Sequence, residues 1–451
     1  MAPDSTPESD GTEVLKTLLW MVFIVVVVQL SIPTRSGDTE SGPEPRSPDS
    51  PRSLIVLIGD GMGPQEIGLS LDVADALGEE TVWPRAFSQA QLSLVRTGAF
   101  GTPVTDSAAS ATAMATGVST VNKAIGVDPK GAELFTCVDD AQVTGRRVGV
   151  VTSTRLTHAT PASFLAHVPI RDQENEIARQ LLESGADVLL GGGAKHFLGG
   201  LGGQVLADEI RLSGYQLVRT KEELAAASTP VLGLFAADNL PYLVDRDGDP
   251  GEAVGVPTLA ELTQAALDRL DGPEGFILIV EGGRIDHAGH ENDAGTLVGE
   301  MREFEDTLAL LLDYLDANDD TALIVTADHE TGGLCLTYRE DDYPNADHLR
   351  ALAETKRSAK LMTAGQTMSE EEATALFGTL RLSFVPEWSW ARNAVGQASS
   401  AESYVSFGSQ GHSATPITLL QLGVGKRLPQ LATHMDVGQL LREWMQTPVK
   451  E

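Results

Sequence analysis

Cysteine and lysine are scarce in this chain, and positive charge is outnumbered throughout. Two cysteines among 451 residues, Cys137 and Cys335, permit at most one intrachain disulfide, so a disulfide-stapled scaffold is excluded. Nothing in the sequence brings that pair within bridging reach. Nine lysines and 23 arginines face 64 acidic residues, for a net charge of −32. Phosphate backbones need the opposite field, so no nucleic-acid partner is expected. Few lysines beside many acids is a balance seen in salt-adapted proteins, and equally in ordinary acidic secreted ones. No internal repeat is present. The length suits one large domain or two ordinary ones.

The one long apolar run is near the start. Residues 18–32, LLWMVFIVVVVQLSI, are short for a bilayer span but fit the hydrophobic region of an export signal. The preceding residues 1–17 are acidic (Asp4, Glu8, Asp10, Glu13), with Lys16 as the positive flank, and no A-x-A site follows. One basic residue before the run and Arg35, Arg46 and Arg52 after it leave the charge rule for orientation undecided. The expectation is an export signal or an uncleaved anchor, with the folded part outside the cytoplasm, periplasmic or at the cell surface. Residues 33–52 are rich in proline and serine and read as a tether, leaving residues 53–451 as the folded domain.

From residue 53 onward short apolar runs recur, each ending in polar residues: LIVLI (54–58), RVGVVT (147–152), VLLGGG (188–193), FILIV (276–280), ALIVT (322–326) and PITLLQLG (416–423). Amphipathic stretches lie between them. In residues 297–315, Leu297, Met301, Phe304, Leu308, Leu311, Leu312 and Leu315 keep helical spacing. Wholly apolar strands alternating with helices predict an α/β fold, a mostly parallel central sheet with helices on both faces. Residues 340–405 break the rhythm and read as an irregular insertion. It would hold a helix over 368–378, begun at Ser369, followed by the tryptophan-rich PEWSWARN.

Ligands of such sheets sit at the carboxyl ends of the strands, and the residues found there carry the chemistry. FILIV runs into Glu281, Asp286, His287 and His290; LIVLI into Asp60; ALIVT into Asp328 and His329; His412 stands just before PITLLQLG. Burying carboxylates costs several kcal/mol apiece unless something compensates. Carboxylate with imidazole suits zinc, and carboxylate with hydroxyl suits magnesium. Any one of these pairs is weak; three buried strands each tipped with carboxylates form a cage for cations. TDSAASATAMATG (105–117), read alone, is a capped alanine-rich helix with Asp106 or Ser107 at its start and Gly117 as its stop. A serine there also sits among free backbone N–H groups, and a divalent ion beside it would make it a nucleophile.

Six segments, IGDGMG, TDSAASATAMATG, THATPA, EGGRIDHAGH, TADHETGG and GHS, occur in the order of the alkaline phosphatase family, and the chain resembles that family over roughly residues 54–425. The resemblance implies a phosphomonoesterase in which Ser107 becomes phosphoserine. It implies Asp286, His290 and His412 on one zinc and Asp60, Asp328 and His329 on a second. A third ion, usually magnesium, would be held by Asp60, Thr160 and Glu281. Arg171, eleven residues after Thr160, falls where that family clamps phosphate. His158 and His287 match the animal-like branch. The likeness implies His158 at the third site, where zinc could compete with magnesium, and His287 beside the phosphate. Small phosphate monoesters as substrates, alkaline activity and a homodimer follow from the same likeness. Sulfatases of that superfamily need x-Pro-x-Arg after the nucleophile, which Ala108-Ala109-Ser110 does not supply. A membrane-tethered phosphate- or metal-binding protein without catalysis is the rival of another class.

Overall fold

The apolar runs become strands because each can bury both faces. In the computed structural model, residues 50–449 are described except 201–202, 249–254, 339–341, 363–395, 397–399 and 402. Ten strands form the sheet: β1 Ser53–Gly59, β2 Gln91–Arg96, β3 Arg147–Arg155, β4 Val188–Gly192, β5 Gln216–Val218, β6 Val231–Leu234, β7 Phe276–Gly282, β8 Thr321–Ala327, β9 Ile417–Gly423 and β10 Leu431–Thr433. Their spatial order is β10-β2-β9-β8-β1-β7-β3-β4-β6-β5. The block from β8 to β5 is parallel throughout. β9 runs antiparallel to both its neighbours, β8 and β2, and β10 returns parallel to β2. The mostly parallel α/β sheet expected from the sequence is therefore present, with an antiparallel strand near one side.

Every residue of β1, β7 and β8 is buried, so helices cover the sheet on both faces. Six helices matter here: α1 Pro64–Leu77, α2 Ser107–Thr116, α3 Leu259–Leu270, α4 Arg284–His290, α5 Ala294–Ala317 and α6 His434–Gln446. The spacing read at 297–315 becomes α5, with Leu297, Met301, Phe304, Leu308, Leu311 and Leu312 buried. All ten residues of α2 are buried, and its small side chains let α6 approach at Gly438. A Cβ at 438 would fall well inside contact distance of the Ala113 carbonyl and the Gly117 backbone.

Both described ends of the chain meet at the amino edge of the sheet. Arg146, just before β3, donates to the carbonyls of Arg52 (2.8 Å), Pro51 (3.3 Å) and Met445 (3.0 Å). The hydroxyls of Ser50 and Thr447 lie 3.2 Å apart. Cys137 is buried and Cys335 exposed, and both are free.

An antiparallel pair, Leu334–Leu336 against Val405–Phe407, closes the base of the insertion. Within it, Asn345 caps a helix over Ala346–Ala353. The helix expected at 368–378 and the PEWSW stretch lie outside the described residues, as do residues 1–49 with the apolar run 18–32. Among the described residues no helix is long and apolar enough to cross a membrane.

Candidate active site

Strand polarity brings the expected residues to one edge. Asp60 follows β1, Glu281 is the penultimate residue of β7, and Asp328 and His329 follow β8. His158 and Thr160 lie on the turn after β3, and Asp286, His287 and His290 on α4. His412 pairs with Thr331 in a two-stranded ladder that folds its loop back over the edge. Asp60, Glu281, Asp328 and His329 are completely buried.

Three groups of donors converge: Asp286, His329 and His412; Asp60, Asp328 and His329; and Asp60, His158 and Glu281, with the ligand atoms of each group within 4.8 Å of one another. Around the first, Asp286 Oδ1 lies 3.3 Å from His290 Nε2 and 3.6 Å from His412 Nε2, and the two imidazole nitrogens are 3.2 Å apart. In the second, His329 Nε2 lies 3.2 Å from Asp328 Oδ2 and 3.7 Å from Asp60 Oδ1. In the third, His158 Nδ1 lies 3.4 Å from Glu281 Oε1 and 3.7 Å from Asp60 Oδ2, and Thr160 donates to that same Asp60 oxygen at 3.1 Å.

Ser107 opens α2, whose cap is Asp106: the carboxylate accepts from Ala109 N at 3.0 Å. Ser107 Oγ lies 3.3 Å from His329 Nε2, at the rim of the second group. Asp106 also accepts from Arg171 Nη1 at 3.3 Å, while Arg171 Nη2 lies 3.1 Å from His158 Nε2. A guanidinium has no acceptor, so it donates to Nε2, and the neutral His158 ring carries its proton on Nδ1, facing Glu281. His287 lies edge-on to His158, with ring centroids 5.6 Å apart.

Electrostatics and hydrogen bonding both point to missing positive charge. Burial, then the neighbouring Asp328 and Asp286, pushes Asp60 well above the usual carboxylate range. Burial and Asp286 push Asp328 up to about 8. Burial also acts to raise Asp286, but His290, His412 and His329 outweigh it and hold that carboxyl well below its ordinary value. Glu281 is lowered because His158 and the Thr152 and Thr154 hydroxyls outweigh its burial. Burial lowers His158, His329 and His412, and lowers His287 with the added charge of Arg284. Neutral imidazoles are what a metal ion binds. Asp60 Oδ1 and Asp328 Oδ2 are buried without a hydrogen-bond partner. Such an oxygen costs about 1–3 kcal/mol or more when unsatisfied, and a cation between the two would satisfy both. The donor set fits divalent metals.

Several residues that the sequence did not single out complete the site. Thr331 donates to Asp286 Oδ1 at 2.6 Å and lies 3.2 Å from His329 Nδ1, joining two donor groups. Its signal was its place two residues beyond His329, on the same side of an extended chain. Thr152 and Thr154 both donate to Glu281 Oε2. The carbonyls of Gln410 and Thr105 orient His290 and His412 through their Nδ1 atoms.

Fold and site together define a metal-binding α/β protein with a serine at the rim of its cage. A model of the alkaline phosphatase family matches residues 51–431, and the chain belongs to that family. It is 37% identical over 298 residues to alkaline phosphatase 3 of Bacillus subtilis (strain 168), a match covering 64% of this chain and 63% of that one. The crystal structure of Thermus thermophilus alkaline phosphatase superposes with a TM-score of 0.76 at 30% identity, covering 87% of this chain and 91% of the other. The cold-active alkaline phosphatase of the psychrophile Shewanella sp. gives 0.70 at 28% identity, covering 87% and 99%. The chain spans less than two thirds of the length of the first curated relatives it matches, 63% and 61%.

Proposed function

We propose that the protein hydrolyses phosphate monoesters to an alcohol and inorganic phosphate through a phosphoserine at Ser107. One observation carries the reading: the serine that opens α2 lies 3.3 Å from His329, at the edge of a cage whose buried carboxylates have unpartnered oxygens. Asp286, His290 and His412 would hold one zinc and Asp60, Asp328 and His329 another. Asp60, Thr160 and Glu281, with His158 beside them, would hold magnesium or a third zinc. When bound, divalent ions favour ionisation of a neighbouring hydroxyl and neutralise charge on the phosphate oxygens.

The chain's own residues do the rest. Ser107 Oγ bonds to phosphorus as the ester P–O bond breaks; its proton passes to solvent, and the leaving alkoxide takes one from solvent to depart as alcohol. Water then attacks the phosphoserine, and the P–Oγ bond breaks to restore the serine and release phosphate. Asp106 takes the Ala109 and Ser110 N–H groups of α2, which leaves those of Ser107 and Ala108 for the incoming anion. Arg171, whose Nη1 is held by Asp106 and whose Nη2 donates to His158, would turn its fork to the non-bridging oxygens on releasing His158. His158, whose Nε2 accepts from Arg171, would ligate the third ion through Nδ1 only on giving up that contact and moving its proton to Nε2.

We assign the protein to the extracytoplasmic side, secreted or tethered through residues 18–32, and expect a homodimer. The test is turnover of a small aryl phosphate. Activity should vanish with chelator, return with zinc and magnesium, and fall at least about a thousandfold in Ser107→Ala, as for loss of other enzymatic nucleophiles. Undiminished turnover in that variant would overturn the reading. Tight phosphate binding without turnover in the wild type would favour the non-catalytic alternative.

A further inference from the structure

We propose that Arg284 is a positioning residue: it fixes His287 in the tautomer that carries its proton on Nε2, so that this ring can donate to a phosphate oxygen and cannot capture a metal ion. The proposal rests on the phosphomonoesterase reading above and deepens it.

Arg284 is the first residue of α4, three positions before His287, which places both on one side of the helix. It is 3% exposed. Its guanidinium lies flat on the Tyr242 ring, with Cζ 3.7 Å from the centroid. Tyr242 is itself buried, and its hydroxyl donates to Glu291 at 3.2 Å, so the platform is fixed. From there Nη1 reaches His287 Nδ1 at 2.9 Å.

The chemistry of that contact leaves one choice. A guanidinium carries N–H donors and no lone pair to accept with, so Arg284 donates and Nδ1 accepts. A neutral imidazole accepting at Nδ1 has its proton on Nε2. His287 is half-buried in a crowd of imidazoles, with His290 and His412 also half-buried and His158 and His329 buried. In the other tautomer its Nε2 lone pair would compete for the same cations and repel a phosphate oxygen, which offers only lone pairs itself. With Nε2–H presented instead, the ring can serve an oxyanion alone. Arg284 thus separates a substrate-facing histidine from its metal-facing neighbours without touching substrate.

The experiment uses the metal-loaded protein labelled with ¹⁵N at its nine histidines, with the His287 signal assigned by its loss in His287→Gln. The expected wild-type signature is a proton on Nε2 and none on Nδ1. Inhibition by inorganic phosphate should weaken about tenfold in Arg284→Met, the worth of one hydrogen bond to a charged group. In the His287→Gln background the same change should alter phosphate inhibition less than about twofold, because the residues act as one unit. A proton on Nδ1 in the wild type overturns the proposal. So does an Arg284→Met effect of equal size in both backgrounds, which marks a merely structural role. If Arg284→Met fails to fold, the wild-type signature still decides. A wild type that keeps the Nε2 proton but neither cleaves aryl phosphate nor binds inorganic phosphate sinks the phosphomonoesterase reading, and with it the partner assigned to His287.

Discussion

Removing the cations should make the fold sensitive to alkali, and Asp328 should account for much of that sensitivity. Burial and the charge of Asp286 raise the Asp328 carboxyl from 3.8 to about 8. Between those values the folded protein holds a proton that the unfolded chain has released, so raising the pH favours unfolding. The stabilisation is complete below the unfolded value and lost as pH rises through about 8. Each unit within the window corresponds to about 1.4 kcal/mol, so going from pH 5 to pH 8 should cost about 4 kcal/mol. Asp60, raised by burial and by Asp328, acts in the same direction. Glu300, raised to about 8 by burial and Glu303, adds a background, which a variant at 328 subtracts. Asp328→Asn is suitable because Oδ1 can still accept from Gly61 N and His329 N, at 3.1 and 2.9 Å. Only the unpartnered Oδ2 is replaced. Urea unfolding of chelated protein across pH 5–8, followed through the buried Trp83 and Trp444, gives the slope; zinc and magnesium should flatten it. A chelated wild type whose stability is flat or rises over that range refutes the reasoning, as does an Asn variant with the wild-type slope.

Three further outcomes are expected. Gly438→Ala should destabilise the protein by about 1–3 kcal/mol, because its methyl group has to displace α6 from α2; a lowered thermal midpoint in the metal-loaded protein checks this. Arg171→Lys keeps the charge but loses the fork, so kcat/KM for an aryl phosphate should fall roughly 10- to 100-fold. A change below twofold would remove Arg171 from phosphate binding. Arg146→Ala takes the Arg146 donor from the Pro51 and Arg52 carbonyls and leaves Met445 O with the Thr144 hydroxyl alone; it should cost about 3 kcal/mol in urea unfolding, with turnover at 25 °C unchanged because the residue sits at the far edge of the sheet.

The site was easier to read in the sequence than the sheet that carries it. FILIVEGG and ALIVTADHE announce themselves because an apolar run long enough to bury both faces stops at carboxylates, a combination that folding alone does not favour. β2, β5, β6 and β10 carry no such signal. QLSLVR leaves Leu92 and Leu94 nearly half exposed, at 47% and 44%, so its alternation resembles a surface segment. LAT and QLV are three residues each. The antiparallel sense of β9 depends on a partner over 90 residues away and is written in no local pattern. Arg171 was placed by resemblance alone, since its contact with Asp106 spans 65 residues. Arg284 stood in plain view within EGGRIDHAGH, but a cation among metal ligands reads as a surface residue until the Tyr242 ring beneath it is known. The two cysteines, free and differently exposed, left no trace of their separation in the sequence.

The clasp made by Arg146 has a practical corollary. With the Ser50 and Thr447 hydroxyls 3.2 Å apart, a brief peptide bridge could join the ends of the folded unit, and fresh ends could be cut in an exposed loop elsewhere. Circular permutants of this kind would keep the strand order intact. A surface or fusion partner attached at the same seam would leave the opening to the cage unobstructed.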